Sequence, residues 1–479
     1  MTETVNLRKT KIVATIGPAS RARETLSLMI DAGLNVARLN FSHGDHEGHK
    51  AVIKNIRELA AEKGREVGIL QDLSGPKIRL GAISERRLET GDKIRLVVGQ
   101  GDSPDSNVLT VNYEYLTSDV VVGSRILLAD GTMELRITGV DSDGVDAEVL
   151  TGGTISAHKG VNLPDSNLSV KAFTEKDKSD LICGLESGVD FVAMSFVRHE
   201  DDLRPVKEMI KRSSSPPLLI AKIEKPQALG RLKEILDFAD GIMVARGDLG
   251  VEMALEEVPH IQKKLIQSAR RRGRLVITAT QMLASMVSSP RPTRAEVTDV
   301  ANAILDGTDA VMLSDETAAG SFPVESVAML DRVANATESR IDSDRFLKEN
   351  THPSLDPMGA SITKAVSILA NERSAKCIVA ITQGGSTARL ISHLRQQTPI
   401  VGMTSSRTTY RQLTLSWGVI PALVQPCDSI MLLEQLASEF AVRNKLAAKG
   451  DVVFLTCGYP LQTSGTTNLI KLLDIGETC

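Results

Sequence analysis

The sequence predicts an α/β protein with a (β/α)8 TIM barrel, an inserted small all-β lid domain and a C-terminal open α/β domain. Short apolar runs alternate with helix-length segments, and eight such runs occur before residue 345. Between about residues 76 and 171 the pattern changes to short runs of alternating polarity that are broken by turns. A chain of 479 residues is also too long for a single core, so several domains are expected.

Eight apolar runs predict the barrel, which we assign to residues 1–75 and 172–345. A helix that ends at Gly33 is expected between the first two runs. Eight parallel strands with crossover helices are the number that closes a TIM barrel. The candidate strands are Lys11–Gly17, Val36–Phe41, Val67–Leu73, Phe191–Val197, Leu218–Glu224, Gly241–Gly247, Leu275–Thr280 and Ala310–Ser314.

The insertion and the last region are predicted to be separate domains. Residues 76–171 contain runs such as Lys93–Val97 and Glu134–Ile137, and their place after the third strand predicts a lid at the catalytic face. Pro353 and Pro357 mark a linker before the last domain, at 346–479. Its candidate strands are Cys377–Thr382, Pro399–Thr404, Val419–Gln425 and Asp451–Cys457.

Composition excludes several classes of function. A net charge of −4 and 3% aromatic residues argue against a nucleic-acid-binding protein. No run approaches the roughly 20 apolar residues of a membrane span, and the first residues lack the apolar stretch of a signal peptide. Five cysteines without a CxxC pair indicate free thiols in a reducing compartment. We therefore expect a cytoplasmic protein that binds neither nucleic acid nor membrane.

Polar residues stand at the carboxyl end of nearly every candidate barrel strand, where barrel active sites lie. Lys222 and Glu224 are two residues apart, as are Arg246 and Asp248, so each pair is predicted to project from one strand face. Two carboxylates with flanking cations suit a divalent metal and a phosphorylated substrate. The other polar strand ends are Arg38, Asn40, Ser42, His43, Asp72, Ser195, Thr280, Gln281, Ser314, Asp315 and Glu316. Any one of them could be a solvated strand terminus or a salt bridge, but together they favour a functional site.

Two further motifs lie near these strand ends. Gly247–Gly250 is a glycine-containing turn into a helix, whose N–H groups could receive a substrate carboxylate. Thr293 and Glu296 form a predicted capping box. Arg294, in the first turn of that helix, opposes the helix dipole and is expected to meet a partner charge, across a subunit interface.

With these motifs, the sequence resembles the pyruvate kinases over essentially its whole length. The matching runs are Lys9–Ser20, Asn35–Gly44, Ile220–Glu224, Met243–Gly250, Thr278–Leu283 and Pro292–Val297. The resemblance implies transfer of a phosphoryl group from phosphoenolpyruvate to ADP, followed by protonation of the enolate, which gives pyruvate and ATP in the last step of glycolysis. It also implies a C-terminal domain that is regulatory and a homotetramer.

The resemblance also implies roles for individual residues. Glu224 and Asp248 would bind Mg²⁺, with Mn²⁺ as a substitute. Lys222 would neutralise the transferring phosphoryl group and the enolate, and Arg38 would hold the phosphate. The substrate carboxylate would meet the N–H groups of Gly247 and Asp248 and the hydroxyl of Thr280, which is also implicated in proton delivery. The positions that approach the nucleotide are Arg79, His43 and Lys176.

The site for a monovalent cation departs from the family pattern. Many members bind K⁺ through positions that match Asn40, Ser42, Asp72 and the Leu73 carbonyl, with a nearby glutamate in a Gly-Pro-Glu sequence. Here Lys77 takes the place of that glutamate, and Leu73 replaces a threonine. A fixed ammonium would supply the positive charge and repel K⁺, so we predict a K⁺-independent enzyme. The alternative is a surface lysine at the lid hinge, with K⁺ still bound.

The C-terminal domain contains a predicted effector loop. Thr382, Gly384, Gly385, Ser386 and Thr387 follow a strand and open a helix, which suits a phosphate group. In the family such loops help to bind a sugar phosphate, and a nucleotide is the other candidate effector. A second polar turn lies at 464–467. Ordinary Gly/Ser turns remain the alternative, since the first loop carries no Lys or Arg.

Two other functions would also account for parts of this pattern. A Mg²⁺-dependent barrel lyase for pyruvate-like substrates would also use Glu, Asp and backbone N–H groups, but it would need neither Lys222 nor a lid. A catalytically inactive sensor would retain the effector domain. The presence of Arg38, Lys222, Glu224, Asp248 and Thr280, which have little structural value, argues against that sensor.

Overall fold

A closed parallel barrel begins the chain in this computed structural model, which describes residues 8–349, 357–461 and 467–476. The helix predicted to end at Gly33 is present, and Gly33 has φ of +113°, which glycine adopts without strain. The first elements are β1 (Lys11–Thr15), α1 (Arg23–Asp31), β2 (Val36–Asn40), α2 (His46–Glu62) and β3 (Gly68–Leu73).

The insertion after β3 is a separate all-β unit with its own core, as predicted. Buried side chains such as Leu96, Leu109, Leu135 and Val149 fill it. Its elements are β4 (Arg86–Leu88), β5 (Lys93–Val98), β6 (Val108–Val111), α3 (Leu116–Asp119), β7 (Arg125–Leu128), β8 (Met133–Val140), β9 (Val145–Thr151), β10 (Gly153–Ile155) and β11 (Val161–Asn162). They form a six-stranded sheet in the order β11-β7-β8-β9-β5-β6 and a two-stranded sheet of β10 and β4.

The remaining five barrel strands follow the insertion. They are β12 (Phe191–Met194), β13 (Leu218–Ile223), β14 (Gly241–Ala245), β15 (Leu275–Ala279) and β16 (Ala310–Leu313). The helices of this part are α4 (Glu175–Glu186), α5 (Glu200–Lys211), α6 (Pro226–Gly230), α7 (Leu232–Phe238), α8 (Arg246–Glu252), α9 (Val258–Arg271), α10 (Arg294–Asp306), α11 (Asp315–Ala318), α12 (Pro323–Glu338) and α13 (Ser343–Glu349). Short 3₁₀ helices lie at Leu255–Glu257 and Ala284–Val287.

The barrel closes in the order β1-β16-β15-β14-β13-β12-β3-β2. All eight predicted strands are therefore confirmed. Most end one to three residues earlier than predicted, because the polar residues at their carboxyl ends turn away from the ladder. Val13, Ile220, Met243, Ile277 and Met312 belong to the apolar cluster inside the barrel, so the polar groups are concentrated at its rims.

The C-terminal domain is an open α/β sheet in the order β19-β18-β17-β20-β21. Its elements are α14 (Pro357–Glu372), β17 (Cys377–Ile381), α15 (Ser386–Ser392), β18 (Ile400–Thr404), α16 (Arg407–Gln412), a 3₁₀ helix at Leu413–Leu415, β19 (Val419–Leu423), α17 (Ile430–Arg443), β20 (Val452–Gly458) and β21 (Thr467–Asp474). The four predicted strands are present. β21, an antiparallel edge strand, was not predicted. Pro357 begins α14, whereas Pro353 lies outside the described residues.

The predicted capping box at α10 is confirmed. The Thr293 hydroxyl accepts the Glu296 N–H at 3.2 Å, and the Glu296 carboxylate accepts the Thr293 N–H at 2.7 Å. Arg294 is exposed and forms no ion pair within the described part of the chain. Its predicted contact across a subunit interface remains a prediction.

Buried polar contacts join the barrel to the C-terminal domain. Arg395 and Asp309 are both fully buried and lie 2.9 Å apart, with Arg395 donating also to the Gly307 carbonyl at 2.5 Å. Lys11, at the start of β1, donates to the Val419 carbonyl at 2.8 Å. The end of the barrel opposite the active-site mouth is thus sealed by the C-terminal domain. None of the helices in the described ranges has the length and apolar character needed to cross a membrane.

Candidate active site

Lys222 is at the centre of the polar cluster at the barrel mouth. Its ammonium lies 2.8 Å from Glu224 Oε1 and 3.3 Å from Asp72 Oδ1, and it donates to Ser195 Oγ at 2.7 Å. The contact with Glu224 confirms that these two side chains share a face at the end of β13. Burial alone would lower the pKa of Lys222, but the attraction of Asp72 and Glu224 raises it above its usual value. The ammonium is therefore both charged and fixed in position.

Arg38 and Asp72 form the second half of this cluster. Arg38 Nε and Nη2 each lie 2.7 Å from Asp72 Oδ2, and Nη1 donates to Thr15 Oγ1 at 2.8 Å. Burial would raise the pKa of Asp72, but the charges of Lys222 and Arg38 hold it below its usual value. Asp72 is thus a buried counter-ion that keeps two cations side by side at the mouth.

Glu224 and Asp248 are the two carboxylates that could hold a metal ion. Glu224 is buried, and its Oε2 accepts the Phe196 N–H at 3.0 Å. The Asp248 side chain remains open to the cleft, but the surrounding protein removes part of its hydration. This desolvation and the negative charge of Glu224 raise the pKa of Asp248 to about 6. A cation between the two carboxylates would relieve their repulsion.

This donor set fits Mg²⁺. Mg²⁺ usually binds through one or two carboxylates, with substrate phosphates and waters completing its octahedron. Within the described residues no group of three or more His, Cys, Asp or Glu side chains is arranged to hold a metal. A site with two protein carboxylates and a phosphorylated substrate is therefore the arrangement that these residues support.

Thr280 and the start of α8 meet beside the carboxylates. Thr280 has φ of +67° and Gln281 has φ of +52°, a left-handed conformation that is strained for a β-branched residue. The Gly247 N–H donates to Thr280 Oγ1 at 2.7 Å, and that hydroxyl donates to the Ala279 carbonyl at 2.6 Å. The hydroxyl and the N–H predicted to receive a carboxylate are therefore in direct contact.

Arg246 does not join the site, so the prediction that it shares a strand face with Asp248 is wrong. β14 ends at Ala245, and the chain then enters α8, where residues two apart point in different directions. Arg246 Nη1 lies 2.6 Å from Asp299 Oδ2, and Nη2 donates to the Thr280 carbonyl at 2.7 Å. Arg246 therefore supports the strained backbone of Thr280 from behind.

The predicted nucleotide residues fall into two places. Burial lowers the pKa of His43, and the charges of Lys77, Arg79 and Arg38 lower it further, so these four groups lie in one positive field. Lys176 lies apart from them, in a cleft beside α2 and α4. Its ammonium donates to the Phe41 carbonyl at 2.7 Å and lies 2.6 Å from Asp180.

Lys77 is half-buried between the lid and the barrel mouth. Burial lowers its pKa, and Arg79 and Lys222 lower it further, whereas Asp72 and Asp248 act in the opposite direction. Its ammonium forms no ion pair with any residue that the structure describes. The charge of Lys77 therefore acts on the active-site carboxylates through space, without an ion pair.

The residues predicted for a monovalent cation are near one another but already engaged. Asn40 Oδ1 accepts the Ser42 N–H at 3.1 Å, and the Leu73 carbonyl accepts the Ser195 hydroxyl at 2.8 Å. Ser195 was noted in the sequence only as a polar strand end. Because its hydroxyl joins Lys222 to the strand that leads into the lid, it is a site residue that sequence reasoning missed, and its place at the end of β12 was the signal.

The predicted effector loop opens α15. Gly385 has φ of +81° at the helix cap, the Thr382 N–H donates to the Met403 carbonyl, and Thr387 Oγ1 lies 2.7 Å from Thr467 Oγ1. Arg389, from the same helix, donates back to the Gly384 carbonyl at 2.7 Å, so a cation lies beside the loop. The second predicted turn lies outside the described residues except for Thr467.

Comparisons with known proteins agree with this geometry. A family model described as the pyruvate kinase barrel domain matches residues 7–327, and one for the pyruvate kinase alpha/beta domain matches 360–473. Pyruvate kinase 2 of a Synechocystis species is 48% identical over 97% of this chain and 79% of its own length. The pyruvate kinase of Clostridium perfringens is 41% identical over 98% of this chain and 100% of its own.

A solved structure shows the same architecture. The crystal structure of a pyruvate kinase from Cryptosporidium parvum superposes with a TM-score of 0.93 at 35% identity, covering 99% of this chain and 98% of that one. These matches favour a phosphotransferase over the barrel lyase. The chain therefore belongs to the pyruvate kinase family, and its activity is the transfer of a phosphoryl group from phosphoenolpyruvate to ADP, which yields pyruvate and ATP.

Proposed function

We propose that Glu224 and Asp248 bind the Mg²⁺ of this reaction, with Mn²⁺ as a substitute. The raised pKa of Asp248 beside Glu224 supports the proposal, because two repelling carboxylates are stabilised by a cation. When bound, the metal would neutralise charge on the substrate phosphate. The two protein ligands leave the other positions to phosphoenolpyruvate and water.

Lys222 and Arg38 are proposed to receive the transferring phosphoryl group. The position of the Lys222 ammonium between Asp72 and Glu224 is the observation that carries this assignment. Phosphoryl transfer depends on positioning and charge neutralisation, and a fixed ammonium and guanidinium need no reorganisation during the reaction. Lys222 would also stabilise the enolate that forms when the phosphoryl group leaves.

The substrate carboxylate is assigned to the first turn of α8. The N–H groups of Gly247 and Asp248 and the Thr280 hydroxyl lie together there, and the Gly247 N–H already donates to an oxygen. Thr280 is also proposed to take part in delivering the proton to the enolate. Arg79, His43 and Lys176 are proposed for the nucleotide. Arg79 and His43 share one positive field with Arg38, and Lys176 lies in the cleft beside α2 and α4.

We test the metal assignment with Glu224→Gln and Asp248→Asn. Each variant should raise the Mg²⁺ concentration for half-maximal activity by about tenfold or more, because a neutral amide replaces a negatively charged ligand of the metal. Glu47→Gln, an exposed carboxylate of α2, serves as the control and should leave the Mg²⁺ dependence unchanged. Wild-type Mg²⁺ dependence in both site variants would refute the assignment.

The enzyme is also proposed to work without K⁺. The half-buried Lys77 ammonium acts on Asp72 and Asp248, which supports its role as the fixed positive charge of the site. Wild-type activity should therefore be the same in tetramethylammonium and in potassium buffers. Lys77→Met should lose activity in the first buffer and recover part of it in the second. A strong K⁺ requirement of the wild type would refute this part of the proposal.

The homotetramer, the cytoplasmic location and the effector loop complete the proposal. Arg389 beside Gly384 supplies the cation that suits a sugar phosphate or nucleotide phosphate at Ser386 and Thr387. Sedimentation tests the oligomeric state. Calorimetry with phosphorylated sugars and nucleotides, on the wild type and on Ser386→Ala, tests the loop, and equal heats for both proteins would refute it.

A further inference from the structure

One buried carboxylate, outside the residues assigned above, joins the lid to the barrel mouth. Glu252 is 5% exposed, and its Oε1 lies 2.5 Å from Lys225 Nζ and accepts Asn162 Nδ2–H at 2.9 Å. Lys225 is also 5% exposed, and its ammonium lies 5.0 Å from the centre of the Phe196 ring. Both charges are therefore desolvated and depend on each other.

The three residues come from three different parts of the site. Lys225 directly follows Glu224, and Glu252 ends α8, whose first turn carries Asp248. Asn162 belongs to β11, the last strand of the lid. The Lys225–Glu252 pair thus fixes the two segments that carry the proposed metal ligands relative to each other, and Asn162 attaches the lid to the same point.

Asn162 also lies beside the strand that leads to the tip of the lid. It pairs with Leu127 of β7, the strand that leads directly into the turn 129–131. This turn has φ of 48°, 56° and 80° at three successive residues, a compact left-handed path. At its end, a Cβ added to Gly131 would lie 3.5 Å from Val251, next to Glu252. The hydrogen bond from Asn162 therefore contributes to holding this turn against α8.

We propose that Glu252 and Asn162 are positioning residues for phosphoryl transfer, because they hold the lid in place against the two segments that carry Glu224 and Asp248. The inference rests on the proposed role of Glu224 and Asp248. A hydrogen bond to a charged acceptor stabilises the lid contact more than a neutral one. Without it the closed state is less populated, and both substrate affinity and the exclusion of water decrease.

Water that enters an open site would hydrolyse phosphoenolpyruvate, and this side reaction can be measured. A water oxygen attacks the phosphorus of phosphoenolpyruvate, the bond from phosphorus to the enol oxygen breaks, and inorganic phosphate is released. The enolate then takes up a proton to give pyruvate, and no ATP forms. The ratio of inorganic phosphate to pyruvate therefore reports lid closure separately from the total rate.

The test compares Asn162→Ala with Asn107→Ala, which changes an exposed lid asparagine that does not touch the barrel. Asn162→Ala should lower kcat/KM for phosphoenolpyruvate by about tenfold, the lower range for a hydrogen bond to a charged group, and raise the phosphate-to-pyruvate ratio. Asn162→Asp should change both kcat/KM and the phosphate-to-pyruvate ratio more than Asn162→Ala does, because a second carboxylate would face Glu252. The Asn107→Ala control should match the wild type.

The outcomes separate this inference from the metal assignment. An unchanged phosphate-to-pyruvate ratio in both Asn162 variants would overturn the inference, whatever happens to the total rate. A general loss of stability would lower the thermal midpoint without changing the ratio, and would overturn it too. Failure of the metal assignment appears independently, as an unaltered Mg²⁺ dependence of Glu224→Gln.

Discussion

Lys11 is a buried lysine whose replacement should stabilise the protein at neutral pH. Only 7% of the residue is exposed, and its ammonium donates a hydrogen bond to the Val419 carbonyl at 2.8 Å. Burial lowers the pKa of Lys11 to about 7, with a further contribution from Arg8, while Glu338 and Asp309 oppose the shift. The folded state therefore binds the proton of Lys11 much less tightly than the unfolded state does.

The magnitude follows from the two pKa values. A decrease from 10.5 to about 7 corresponds to roughly 5 kcal/mol between the charged and neutral forms. Because the unfolded chain holds more protons between these values, stability rises with pH from about 7 to 10.5 and is lost as pH falls through that range. Lys11→Met removes this cost but leaves the Val419 carbonyl unpaired, at about 1–3 kcal/mol. The net gain near pH 7 is therefore about 2–4 kcal/mol.

The assay is thermal unfolding of wild type and Lys11→Met between pH 6.5 and 10.5. The variant should have the higher midpoint at pH 7 and the lower one above about pH 9, where the neutral lysine retains its hydrogen bond. Lys54→Met, at an exposed position of α2, controls for the change in net charge. A variant that is less stable than wild type at pH 7, or a difference independent of pH, would refute the reasoning.

Substitutions at three other residues test the site and the domain contact. Lys222→Ala leaves Asp72 and Glu224 facing each other, so, contrary to the little structural value expected from the sequence, the free energy of unfolding should fall by roughly 3–5 kcal/mol. Mg²⁺ should restore part of this loss in thermal unfolding, and kcat should be at least about a thousandfold lower. Thr280→Val should lower kcat/KM for phosphoenolpyruvate about a hundredfold, whereas Thr280→Ser should retain most of it, in steady-state assays. Arg395→Met leaves Asp309 buried and unpaired, and should destabilise the barrel–C-terminal contact by roughly 3–5 kcal/mol in denaturant unfolding.

The barrel strands and the cluster at their ends could be predicted because both follow from local patterns. Apolar runs such as 218–223 are buried on both faces, and a lysine and a glutamate at the end of one have no use in a core. The carboxyl ends of parallel strands share one rim, so residues as distant as Arg38 and Lys222 had to lie close together. Asp72, which lies between them, is predicted by the same argument.

The predictions that were wrong or missing concern residues whose placement depends on the path of the backbone, on exposure at a sheet edge or on tertiary partners. Alternation holds only while the chain is extended, so Arg246, one residue into α8, could not be placed from its spacing to Asp248. β21 was missed because its polar and apolar residues alternate weakly at an exposed edge. Glu252 and Lys11 gave no signal in the sequence, since a charged residue shows its burial only when its tertiary partners are known.

The charges at the barrel mouth explain why the lid must be held in a fixed position relative to the barrel. Lys222 and Arg38 share the single carboxylate of Asp72, so both cations are already in position before a phosphate binds. The lid brings Lys77 and Arg79 toward the same carboxylates and phosphate from the other side. A small displacement of the lid therefore removes two cations and admits water together, which slows transfer to ADP and makes water available as a competing acceptor. The contact between Asn162 and Glu252 contributes to both effects, and for this reason the phosphate-to-pyruvate ratio is more informative than the rate alone.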